Sequence, residues 1–123
     1  MAVKDNIENI LSRINSACER AGRSIDEITV VGVTKTFEAD KITQAIECGI
    51  KDVAENRVQE LVRKYDDVKG VSWHLIGHLQ TNKVKYVVGK AELIHSVDSL
   101  HLAKAINAQA EKQGICQKIL LPL

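Results

Sequence analysis

Five short apolar runs, each but the last followed by a stretch of helical periodicity, set the limits on what this chain can fold into. The runs start near Val30, Asp52, Trp73, Leu93 and Lys118, at intervals of 22, 21, 20 and 25 residues. That is the rhythm of strand, loop, helix, loop. Because such crossovers share one hand, it predicts strands lying side by side and parallel. Two architectures grow from these units, an open doubly wound sheet and a closed eight-stranded barrel. A helix before the first strand, the even spacing and the absence of a Gly-x-Gly-x-x-Gly turn favour the barrel. A full barrel takes about 250 residues, and this chain has 123. The predicted class is therefore α/β, a partial (β/α)8 barrel of about five parallel strands with outer helices. Residues 1–123 are expected to form the amino-terminal part of a single barrel domain, truncated near strand five, where Pro122 interrupts the last run.

The individual segments support that outline. Ile7, Ile10, Leu11, Ile14, Ala17 and Cys18 repeat at threes and fours, an amphipathic helix stopped by Ala21-Gly22. Ile28 to Val33 is β-branched and too short for a buried helix, so it reads as strand one. Lys51 to Ala54, Val71 to Ile76, Leu93 to His95 and Ile115 to Leu121 are the next four strands. Between them Ile42, Ala45 and Ile46, then Val58, Leu61, Val62 and Tyr65, then Val84, Val87 and Val88 stripe successive helices. The last helix is predicted from about Leu100 to Gln113, capped by Asp98 or Ser99 and ended by Gly114.

Composition narrows the function classes. Aromatic residues are 3% of the chain, so the core must be built from Ile, Val, Leu and Ala, as in helix-covered parallel sheets. A formal charge of +1 gives no electrostatic case for a nucleic acid or an anionic membrane as partner. No apolar stretch reaches the roughly 18 residues of a membrane span, and the first residues lack an apolar signal region. Cys18, Cys48 and Cys116 are far apart with no Cys-x-x-Cys pair, and are expected to be buried small hydrophobes. The expected location is the cytoplasm.

Lys35 is the residue with the most chemical promise. It closes the run Val30-Val31-Gly32-Val33-Thr34, and ligands of α/β folds gather at the carboxyl ends of strands. An amine there can mark no more than the point where the strand surfaces, or it can condense with an aldehyde as a Schiff base. Thr34 and Thr36 flank it with hydroxyls. Glu55-Asn56 holds the equivalent position after strand two and is expected either to face the same mouth or to cap the following helix. His74 alternates away from Trp73 and Leu75, and on an inner face it needs a polar partner. Gly77 to Lys83 is a long polar loop at the same end, and strand four ends in the polar His95-Ser96-Val97-Asp98. His74 and His78 lack the helical setting that makes a four-residue spacing a metal motif.

Laid out in order, four segments carry a resemblance. They are Val31-Gly32-Val33-Thr34-Lys35-Thr36, Ala54-Glu55-Asn56-Arg57-Val58-Gln59-Glu60, Trp73 to Lys83 and Ile94-His95-Ser96-Val97-Asp98-Ser99. Together they closely resemble the pyridoxal phosphate homeostasis proteins, from the first helix to about Leu121, with the Trp73–Lys83 block the most specific. The resemblance implies a TIM barrel like the amino-terminal domain of alanine racemase. It also implies that pyridoxal phosphate is the cofactor, held as a Schiff base on Lys35. Asn56 matches an asparagine lining the cofactor pocket, and Ile76 and Gly77 match positions on its wall. No catalytic turnover is expected, only a part in intracellular vitamin B6 balance. The parent is expected to be monomeric, and this chain to self-associate through an open barrel edge. In the family the groups that hold the phosphate come from beyond the matched residues, so attachment at Lys35 is expected to be weak. Ala54 stands where the family usually has glycine. The alternatives are an amino-acid racemase using the same cofactor and a fragment that binds nothing.

Overall fold

Strand and helix alternate where the apolar rhythm put them. The computed structural model describes residues 3–35 and 37–122. In chain order the elements are α1 (Val3–Ala21), β1 (Val31–Val33), α2 (Ala39–Glu47), β2 (Asp52–Glu55), α3 (Val58–Tyr65), β3 (Ser72–Leu75), α4 (Val84–Val87), β4 (Ala91–Ile94), α5 (Leu100–Gln113) and β5 (Lys118–Ile119). The strands form one sheet in the order β1-β2-β3-β4-β5, and every neighbouring pair is parallel. This is the arc of a partial (β/α)8 barrel.

Local chemistry explains where the boundaries moved. Strand one was expected from Ile28, yet β1 starts at Val31. Ser24 caps a single 3₁₀ turn over Ile25–Glu27, and the Ile28 amide closes that turn on the Ile25 carbonyl. Ile28 is thereby spent on closing a turn, and Thr29 and Val30 lead from it to β1. At the other end, Ser99 accepts a hydrogen bond from the Leu102 amide at 3.1 Å and starts α5. Gly114 ends it at φ 71°, a left-handed conformation that costs glycine nothing. Between β3 and β4 the register shifts, Trp73 pairing with Ala91 but His74 with Leu93, so Glu92 is left over as a bulge.

The two faces of the sheet differ in kind. Val53, Trp73, Leu75 and Ile94 point to the helices and pack with Ile42 of α2, Leu61 of α3, Val87 of α4 and Leu102 and Ile106 of α5, all buried. The opposite face carries Val31, Val33, Asp52, Ala54, His74 and Leu93, which share it because parallel pairing aligns them and strands alternate. Ala54 is fully buried there, its methyl accommodated.

Both edges of the sheet are unpaired among the described residues. Beside β1 an apolar groove of about 470 Å³ runs between α1 and α2, lined by Ile7, Leu11, Val31, Ile42 and Ala45 among others. The stripe of α1 is consequently half-covered. Cys18 is its one buried residue, and Ile10 is 50% exposed. Cys48 is half-buried, but Cys116 is exposed. That corrects the expectation of three buried cysteines, because residues 115–117 cross open surface between α5 and β5. No helix among the described residues is long and apolar enough to cross a membrane.

Leu75 is fully buried between β3 and the helices. Leu75→Ala is expected to lower stability in urea denaturation by about 2–5 kcal/mol, through lost burial and a cavity. Leu100→Ala, at a side chain 70% exposed, is expected to stay within about 0.5 kcal/mol.

Candidate functional site

The sheet register assembles the site. Val33, Ala54, His74 and Leu93 form one row across β1 to β4. The parallel ladder continues past the strands through Thr34 N to Ala54 O (2.9 Å), Ile76 N to Glu55 O (3.1 Å) and His95 N to Leu75 O (2.9 Å). Two residues further along β2, β3 and β4, the next row on the same face is therefore Asn56, Ile76 and His95, while Lys35 follows Thr34 in the turn just past β1. Lys35, Asn56 and Ile76, all singled out by sequence, thus fall at the carboxyl ends of the adjacent strands β1, β2 and β3. The fourth, Gly77, is fixed by contact. A Cβ built on it would lie 2.8 Å from the Asn56 carbonyl carbon and closer still to its oxygen, so only glycine lets the β2 and β3 ends approach this closely. Lys35 is exposed in the turn after β1, and no hydrogen bond or ion pair to its amine exists among the described residues. Thr36, expected to flank it, lies outside them. Beside Asn56 a hollow of about 240 Å³ is lined by Arg57, His78, Gln80 and Lys83.

Beneath that row, on the helix side, lies a buried charge cluster. Lys64 of α3 is 2% exposed, and its ammonium donates to Glu55 Oε2 at 2.8 Å and to the Thr34 carbonyl at 3.0 Å. The Thr34 hydroxyl is within reach of both the Glu55 carboxylate and the Ala54 carbonyl, and its one proton serves one of them at a time. Glu55 therefore neither opens to the mouth nor caps α3, whose N-cap Arg57 makes no side-chain cap bond. Alternation turns it towards the helices and leaves Asn56 facing the mouth. The Thr34 carbonyl also accepts from the Phe37 amide at 3.1 Å, and Glu38 accepts from Arg63 Nη1 at 3.0 Å. Both ends of the Lys35 loop are so tied to α3. The sequence carries a signal for Lys64: three residues after Leu61, it falls on the apolar stripe of its helix.

On the open face, His74 finds its partners. Its Nε2 is 2.9 Å from Asp52 Oδ1, and its Nδ1 is 2.8 Å from His95 Nε2. Burial, and secondarily the neighbouring His74, hold His95 below the ordinary histidine pKa of 6.5. Sequence alone placed His95 at the polar end of strand four and gave the imidazoles no partners. The pairing exists only because three strands align.

No protein-family profile matches the chain. A pyridoxal phosphate homeostasis protein of Aquifex aeolicus is 44% identical over 119 residues, which are 95% of this chain and 52% of that protein. This chain is a relative of the pyridoxal phosphate homeostasis proteins. One from Deinococcus radiodurans is 38% identical over 94% of the chain and 56% of its own length. The chain spans about half the length of the curated relatives it matches. Among solved structures, an unknown protein of Bifidobacterium adolescentis superposes with a TM-score of 0.83 at 32% identity, over 95% of this chain and 53% of that one. PipY of Synechococcus elongatus, solved with pyridoxal phosphate bound, gives 0.72 at 31% identity over 86% and 51%.

Removing one partner from the buried pair strands the other charge. Lys64→Met is expected to destabilise by about 3–5 kcal/mol, and adding Glu55→Leu to recover most of that, as read by urea denaturation. His95 adds a pH dependence. Its folded pKa lies below the unfolded value, so the unfolded chain takes up the proton first. Its share of stability is complete above the ordinary histidine pKa and is lost as pH falls through the range between the two values. Thermal melts of the wild type are expected to fall over that range more steeply than those of His95→Gln.

Proposed function

We propose that this chain binds pyridoxal phosphate at the carboxyl mouth of its sheet, attached through Lys35, in a non-catalytic role in the vitamin B6 balance of the cytoplasm. The observation that carries the reading is that Lys35, Asn56 and Ile76 fall at the carboxyl ends of three adjacent strands, with the Gly77 contact closing β2 on β3. They stand in a chain with the fold of PipY, which has been solved with this cofactor bound. The residues fit the group. Lys35 offers an exposed primary amine, Asn56 a half-buried amide, and Ile76 a half-buried apolar surface for a ring. Gly77 lets the walls of the β2 and β3 ends close on each other. The cofactor supplies an aldehyde, which condenses with a primary amine to a Schiff base and releases water.

Two observations support a binding role without turnover. Racemisation needs an acid and a base on opposite faces of the substrate carbon, whereas the imidazoles bonded here, His74 and His95, lie on one face of the sheet. The relatives, too, carry names of homeostasis rather than of a reaction. The unpaired strand edges and the groove beside β1 support self-association of this chain.

Titration with pyridoxal phosphate, followed by absorbance, tests the reading. The expected result is a reversible Schiff-base band in the wild type that is lost in Lys35→Ala. A band equally strong in Lys35→Ala would refute the attachment point. Steady racemisation of alanine dependent on Lys35 would refute the non-catalytic role. Sedimentation velocity is expected to show species heavier than the monomer.

A further inference from the structure

His95 completes the row that the register draws through Asn56 and Ile76, and it is held there by a hydrogen-bonded chain of its own. A carboxylate only accepts, so Asp52 Oδ1 takes the proton of His74 Nε2. A neutral His74 then presents a lone pair at Nδ1, and His95 must donate to it from Nε2. The remaining nitrogen, His95 Nδ1, is left as an acceptor, and no hydrogen bond among the described residues uses it. His95 is half-buried while His74 is 4% exposed, so the chain runs from the interior to a single accessible lone pair.

We propose that His95 Nδ1 is the proton acceptor for the bound ligand, with Asp52 and His74 as the positioning residues that fix its tautomer. The inference rests on the function proposed above. A hydroxypyridine aldehyde brings an O–H and a ring N–H, either of which is a donor for that lone pair. The arrangement also lets the proton transfer fully. His95 Nδ1 gains it, the proton on His95 Nε2 passes to His74 Nδ1, and the positive charge rests on His74 beside Asp52. Return of the proton to the ligand reverses both steps. Other charged groups on the neighbouring strands and on the loop after β4 are Lys118, paired with Glu92 at 2.9 Å, and the exposed Asp98.

The test combines ¹⁵N-imidazole NMR of the chain with pyridoxal phosphate titrations across pH. In the free chain His95 is expected as the Nε2–H tautomer, with its Nδ1 resonance moving towards the protonated position on adding pyridoxal phosphate. His95→Gln keeps a donor for His74 but loses the second nitrogen. It is expected to weaken cofactor binding about ten- to hundredfold and to remove the histidine inflection from the pH profile of the cofactor band. Asp52→Asn is expected to shift that inflection. An Nδ1–H tautomer in the free chain overturns the proposal. So does unchanged affinity and pH profile in His95→Gln when Lys35→Ala abolishes the band. A wild type with no cofactor band overturns the function reading and the ligand contact with it, while the tautomer still decides the hydrogen-bonded chain.

Discussion

The ammonium of Lys64 is buried where water cannot solvate it, and the mouth of the sheet is built around satisfying it. A desolvated charge is tolerable only with an opposite charge and further hydrogen bonds close by. Glu55 and the Thr34 carbonyl supply these from the ends of β2 and β1. The consequence reaches past the pair. With Glu55 drawn to the helix side, strand alternation turns Asn56 to the open side. With the Thr34 carbonyl bonded to α3, Lys35 leaves the strand from a fixed point. One interior lysine thus holds Glu55 to the helix side and the Thr34 carbonyl at the base of the turn that carries the other lysine.

Lys35 and Lys64 show how completely surroundings decide what one side-chain chemistry does. Lys64 spends its donors on fixed partners and serves as structure. Lys35 sits exposed beyond the strand end, which leaves its amine open to an electrophile. The same contrast separates the two faces of the sheet. One is an apolar layer of Val53, Trp73, Leu75 and Ile94 sealed by helices. The other carries a polar line from Asp52 through His74 to His95. A ligand whose ring needs an apolar wall and whose edges need hydrogen bonds fits the second face.

Kinship to the pyridoxal phosphate homeostasis proteins covers about half of their length, and the row at the strand mouth lies within that half. What the mouth supplies is an amine, an amide, an apolar wall and an imidazole acceptor. Protein groups of this kind orient a cofactor and tune its protonation, while the reactive chemistry belongs to the cofactor.

The sequence by itself determined the order and number of strands and helices. Each element bears a local signature: β-branched runs for strands, stripes at threes and fours for helices, Ser99 and Gly114 at the ends of α5. It also pointed to Lys35 by its place at a strand end, and to Asn56, Ile76 and Gly77 through the resemblance carried by motifs contiguous in the chain. Tertiary structure alone decided that Glu55 turns inward, that Lys64 is its partner, and that His95 joins the row. Each of these depends on strands tens of residues apart meeting in one register, with the bulge at Glu92 setting which residue of β4 faces His74. A one-residue slip would turn His95 to the other face. Local preference cannot encode that choice, and only the packed sheet fixes it.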